Sequence, residues 1–363
     1  MADLVGWDVA EKVAVRLAGQ EPFADSYHAD SLASDFAELT AEAEALVSEA
    51  TGLVSAAGPA RARVTDRPGW VRANLASFQR LLAPLTDRLG EKVSRTPAAA
   101  KITHTLTGVE VGALLGWMST RVLGQYDLLI VDDDTASEQD LVYYVGPNVL
   151  SLEKRFAFPP REFRLWLALH EVTHRAQFTG IPWLRGHFLS LVEESLGSIE
   201  PDPKRFLAAL SRVADDLRAR RNPLDDGGLV SLVATPEQQR LLGRIGGMMS
   251  LLDGHGDVTM DRAGADRIPS AERFSRVLRQ RRAQTSGAAK LVQKLIGLDA
   301  KMKQYEQGER FIAAVEAQGG PAYLERAWEA PECLPDLAEI REPAAWMRRV
   351  GAPAVGGPAT ATA

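Results

Sequence analysis

The sequence predicts a mainly helical α+β fold with a small β-sheet beside one long helix. Three observations predict it. Most of the 363 residues fall in segments whose apolar positions recur at helical spacing. Two short stretches, "YDLLIVDDD" (126–134) and "DLVYYVGPNVL" (140–150), are instead rich in Ile, Val, Leu and Tyr. Directly after them, an apolar helical stretch is bracketed by Pro159 and Pro160 at its start and by Gly180 and Pro182 at its end.

The elements follow in order. "DSLASDFAELTAEAEALVSEATGL" (30–53) is helical, and Gly52 can stop it. "RPGWVRANLASFQRLLAPLTDRL" (67–89) begins another helix after Pro68 and Gly69. In "GVEVGALLGWMSTRVLG" (108–124), Gly108, Gly112 and Gly116 form a bare stripe that lets another helix approach closely. That segment is too short for a membrane span and carries Glu110 and Arg121. The two apolar stretches, separated by "TASEQ", make a hairpin, and the bracketed helix starts near Arg161. Further helices are expected over 183–199, 203–221, 236–254, 269–283, 286–297 and 307–318, with a loop over 220–236. The tail 351–363 has nothing with which to form a core and is expected to be disordered. The expectation is a single domain over 1–350, with helices over 1–125, the sheet and long helix over 126–200, and helices again over 201–350.

With 45% hydrophobic residues the chain can bury a sizeable core. A net charge of −6 with no basic stripe argues against a nucleic-acid partner. No window holds 18 uninterrupted apolar residues, so no membrane span is expected. The first residues carry Asp3, Asp8 and Glu11 and do not read as a signal peptide, so a cytoplasmic protein is expected. Cys333 has no second cysteine to pair with and is expected to be a buried or half-buried thiol. The oligomeric state is left open.

The long helix carries "HEVTH". Residues four apart share a helix face, so His170 and His174 can turn ring nitrogens toward one ion. Two imidazoles make half of a tetrahedral zinc shell. Glu171, on an adjacent face, suits a general base that takes a proton from water and returns it to the leaving group. The bland alternative is two histidines hydrogen-bonded within a core. Leu165, Leu167, Leu169, Val172 and Phe178 imply a buried helix, whose polar groups need partners.

A catalytic zinc usually has three protein ligands. The extended pattern HExxHxxGxxH is absent, because Gln177 and Gly180 replace its glycine and third histidine. The third ligand therefore lies elsewhere. His187 in "WLRGHFLSL" reads equally as a surface residue, and Glu193 with Glu194 in "LVEESLG" equally as a solvated helix face. The favoured candidate is Asp253 in "MMSLLDGHGDVTMDRAG", where an apolar helix is expected to end in Asp253, Gly254, His255, Gly256 and Asp257. There Asp253 binds the metal, Asp257 orients a ligand histidine, and His255 stabilises the oxyanion, or binds in place of Asp253. The alternative is a polar helix cap.

Three segments together, "LHEVTHRAQFTGIPWLRGH", "MSLLDGHGDVTMD" and "KLIGLDAKMKQYEQGERFIAAVEAQGG", resemble an actinobacterial group of zincin-like proteins. That group is described as zinc-dependent metalloproteases or hydrolases and is associated with biosynthesis of a deazaflavin coenzyme. The resemblance runs over roughly residues 5–350. It implies a zincin-like metallopeptidase fold, a Zn2+ ion and peptidase chemistry. In gluzincin-like relatives the third ligand is usually a glutamate, and Asp253 is one methylene shorter. "KMKQYEQGERF" reads as a salt-bridged helix, with Tyr305 as a pocket-lining alternative.

The expected activity is metal-assisted hydrolysis of a peptide or amide bond. The alternatives are hydrolysis of a small amide or ester, or a zincin scaffold that binds without catalysis. A peptide substrate is expected to add as a strand to the sheet edge around 143–149.

Overall fold

The structure is a computed structural model and describes residues 5–19, 23, 26–93, 97–128, 140–198, 234–283 and 298–351. The expected helices 203–221 and 286–297, the tail beyond Gly351, and nearly all of the loop 220–236 lie outside the described residues. In chain order the elements are α1 (Trp7–Ala18), α2 (Tyr27–Asp30), α3 (Leu32–Thr51), β1 (Arg61–Thr65), α4 (Arg67–Val93), α5 (Pro97–Ser119), β2 (Gly124–Tyr126), β3 (Leu141–Val145), α6 (Gly146–Phe156) and α7 (Pro160–Gly180). Then come α8 (Leu184–Gly197), α9 (Pro236–Gly264), α10 (Ala271–Ala283), α11 (Leu298–Gly319), α12 (Pro321–Leu324), α13 (Leu337–Arg341) and α14 (Pro343–Val350). Helix dominates, and among the described residues no helix is long and apolar enough to cross a membrane. The chain forms two compact units, Met1–Arg185 with Thr259–Arg282, and Gly186–Val258 with Ala283–Ala363.

The first unit holds a three-stranded sheet of order β1-β3-β2. β3 is central, parallel to β1 (Val64 opposite Tyr144) and antiparallel to β2 (Tyr126 opposite Val142). Every residue of β3 is buried, which its run of Leu, Val and Tyr allows. Three expectations change here. The second hairpin strand stops at Val145, because Gly146 and Pro147 open α6, with proline in a first-turn position where no amide hydrogen is needed. β1 was not foreseen: only Val64 and Thr65 in "RARVT" are strand formers, and its partner lies far along the chain. The expected peptide-docking edge at 143–149 does not exist, since β3 is paired on both sides and residues from Gly146 onward are helical.

The glycine stripe works as expected. α5 lies against α1, where a Cβ on Gly112 would sit 2.5 Å from the Ala10 carbonyl oxygen and one on Gly116 2.7 Å from Leu17 Cβ. α3 ends where expected, with Gly52 in the left-handed conformation at φ 70°. β2 is tied to α4 by polar side chains: Trp70 Nε1 donates to Gln125 Oε1 (2.8 Å), and Gln125 Nε2 donates to Asn74 Oδ1 (3.1 Å). An aromatic cluster of Phe158, Phe163, Trp166 and Phe274 packs α10 against the start of α7.

The second unit is built on Leu251, Phe311, Ile312, Val315, Ile340 and Trp346. Here the expected helix end at 254 is wrong, because α9 runs unbroken from Pro236 to Gly264. Gly254 is a crossing point rather than a stop. A Cβ there would meet the backbone of Gly308, with Glu309 N at 2.7 Å, so only a bare position lets α11 come this close.

Candidate metal centre

α7 carries His170, Glu171 and His174 in the first unit, and the sequence bounds this helix well, since it opens at Pro160 after Pro159 and ends at Gly180. The two imidazole rings lie with centroids 4.7 Å apart and planes at 87°. Two imidazoles bound to one tetrahedral zinc through nitrogens about 2.0–2.1 Å from it would have centroids roughly 5 Å apart. The spacing fits a shared ion.

The hydrogen bonds fit as well. His174 Nδ1 lies 3.0 Å from Gln177 Oε1, and His170 Nδ1 lies 3.2 Å from Met260 Sδ. Neither an amide oxygen nor a thioether has a hydrogen to give, so both Nδ1 atoms are the donors. In a neutral ring the lone pair is then on Nε2, the form in which imidazole binds a metal. Among the described residues no three His, Cys, Asp or Glu side chains form a complete metal cage. The donor set tested is therefore the histidine pair, and it suits zinc.

Glu171 is buried and anchored by the edge strand, where Tyr126 N–H donates to Glu171 Oε2 at 3.0 Å. Gly124 makes room for it, since a Cβ there would lie 2.7 Å from both Glu171 Cγ and Oε1. That backbone donor fixes the position of the carboxylate. Burial, with Asp140 adding to it, pushes the Tyr126 hydroxyl above the ordinary tyrosine range, so the ring beside this anchor stays neutral.

The remaining candidates are in the second unit. Asp253 and His255 are buried, at 5% and 8% exposure. On an unbroken helix Asp253 and Asp257 share a face, whereas His255, two residues from each, points the other way. His255 stands edge-on to Trp328, with centroids 5.3 Å apart. Glu193 and Glu194 are exposed on α8, as a solvated face would be. His187 lines a cavity of about 240 Å³ with Arg244, Glu332 and Asp336; burial, then the Arg244 cation, pushes its pKa down. Cys333 is half-buried.

The sequence reading missed four contributors: Gln177, Met260, Gly124 and Tyr126. In the sequence Gln177 is only a departure from a longer motif, and Met260, inside "GDVTMD", belongs to none.

Over residues 5–347 the chain matches a family model described as "Zincin-like metallopeptidase". It is also similar to a solved structure from Chloroflexus aurantiacus, described as a candidate hydrolase with a novel fold. The identity is 32%, the TM-score 0.70, and the match covers 95% of this chain and 98% of that one. No curated protein matches the chain. Neither match bears on an actinobacterial origin or on a deazaflavin coenzyme.

Proposed function

Because the chain belongs to the zincin-like metallopeptidase family, we propose that it is a zinc-dependent hydrolase that cleaves a peptide or amide bond, with Glu171 as the general base. Its mainly helical α+β architecture with a small sheet is that of the family, and the family implies a metal, usually zinc. The observation that carries the reading is the pair of Nδ1 donations on α7, which presents Nε2 of both His170 and His174 as metal donors. Bound between these two rings, zinc would supply Lewis acidity that lowers the pKa of the attacking water toward neutrality.

Glu171, held at Oε2 by the Tyr126 amide, takes the proton of the attacking water and returns it to the leaving nitrogen. Asp253 is our choice for the third ligand. The support is that Asp253 is a buried carboxylate on α9. Asp257 was expected to orient a ligand ring, but with both Nδ1 atoms meeting Gln177 and Met260 no ring nitrogen is left for that role. His255 was expected to stabilise the oxyanion, but its place against Trp328 on the other face of α9 favours a packing role.

The test is metal removal. Dialysis against a chelator is expected to abolish cleavage of a mixed peptide library, and one equivalent of zinc per chain to restore it. Cleavage that survives a demonstrably metal-free preparation would sink the reading. Zinc uptake at one per chain with no turnover of peptides, amides or esters would favour a binding scaffold.

A further inference from the structure

The residue that breaks the HExxHxxGxxH pattern is the one that holds His174. Gln177 is one helical turn beyond it, is 0% exposed, and accepts from His174 Nδ1 at 3.0 Å. Met260, 3% exposed on the last turns of α9, does the same for His170 at 3.2 Å. Those turns run along α7: a Cβ on Gly264, one turn beyond Met260, would lie 3.5 Å from Leu169 Cδ1. Two different acceptors on two different helices therefore meet the same nitrogen of each ring.

We propose that Gln177 and Met260 are positioning residues of the metal centre, setting the tautomers of His174 and His170 with uncharged acceptors. The inference rests on the zinc reading above. The second nitrogen of a metal-bound histidine ordinarily donates to a carboxylate, a backbone carbonyl or a water. A carboxylate pulls on that proton and makes the other nitrogen a stronger donor to the metal. A thioether and an amide are weaker acceptors, and their burial keeps bulk water from replacing them. The tautomer is fixed without the added basicity. The centre then holds its metal less tightly than one backed by carboxylates and leaves the metal more electron-poor.

The test has two readings. In metal-free protein at alkaline pH, where both rings are neutral, nitrogen NMR is expected to show the Nδ1–H form at both histidines. Met260→Leu keeps the volume and removes the acceptor. It is expected to shift His170 toward the Nε2–H form, leave His174 unchanged, and weaken zinc binding about ten-fold in competition with a chelating dye. Gln177→Glu, which supplies a charged acceptor of the same shape, is expected to tighten zinc about ten-fold. Should that variant not fold, Gln177→Leu is expected to weaken zinc by a similar factor. An unchanged His170 tautomer in Met260→Leu, or zinc affinity indifferent to every substitution at Gln177, overturns the proposal. A wild-type chain that takes up no zinc would instead sink the zinc reading, and the apo-protein tautomers would still decide this one.

Discussion

Glu171→Gln is expected to lower kcat/KM by roughly 10²- to 10⁴-fold, the range that positioned proton transfer contributes, with zinc content unchanged. The substitution keeps the shape of the side chain. Its amide oxygen can still accept from the Tyr126 N–H that anchors Oε2 at 3.0 Å, so the edge strand and α7 keep their relation. What disappears is the ability to take a proton. The loss should therefore fall on kcat, with KM little changed, because an interaction made only in the transition state has been removed. Steady-state kinetics beside metal analysis check this. A variant that keeps more than about a tenth of wild-type kcat would remove Glu171 from the proton-transfer role.

Arg175→Met is expected to cost about 2–3 kcal/mol of stability, because it removes a buried guanidinium that joins two partly exposed carboxylates and a backbone carbonyl. Arg175 is 1% exposed, immediately after His174. Its guanidinium donates to Glu44 Oε1 of α3 (2.7 Å), to Asp140 Oδ2 at the start of β3 (2.9 Å) and to the Gly58 carbonyl ahead of β1 (2.6 Å). One side chain thus joins the metal-centre helix to α3 and to the approaches of two strands. Methionine would fill the volume but take the guanidinium from Asp140 Oδ2 and Glu44 Oε1, Glu44 keeping the Ala60 amide at Oε2. Asp140 itself sits at φ 57°, a left-handed conformation that aspartate adopts more readily than most side chains. Lysine would not rescue, because a single ammonium cannot reproduce the three-way fork. Urea denaturation of the two proteins measures the difference, and a loss below about 1 kcal/mol would contradict this role.

The features of the fold and site that were legible in the sequence are those whose cause is local. Pro159, Pro160 and Gly180 bound α7 because they act on their own backbone, and His170 and His174 share a face because helix geometry puts them there. Gly52 ended α3 for the same reason. The Gly108, Gly112 and Gly116 stripe announced a close helix partner, although not that the partner would be α1. Causes that lie far along the chain were not legible. Gly254 and Gly256 looked like a stop, but the Gly254–Gly308 crossing makes bare positions useful in mid-helix, and α9 continues. That continuation separates the faces of Asp253 and His255, which a helix end at 254 would have left free to converge. β1 pairs with a strand distant in sequence and carries two arginines in five residues, so periodicity did not mark it. Gln177 and Met260 carry no motif of their own; only the positions of the rings they touch give them meaning.

The most direct measurement is an anomalous difference map at the zinc edge from a crystal of the zinc-loaded chain. The expected result is one peak about 2.0–2.1 Å from Nε2 of both His170 and His174, with a carboxylate from α9 completing the shell and Glu171 beside it but not bound. A peak held by one ring alone, rings engaged through Nδ1, or no peak near α7 would contradict the shared-ion centre and the hydrolytic chemistry drawn from it.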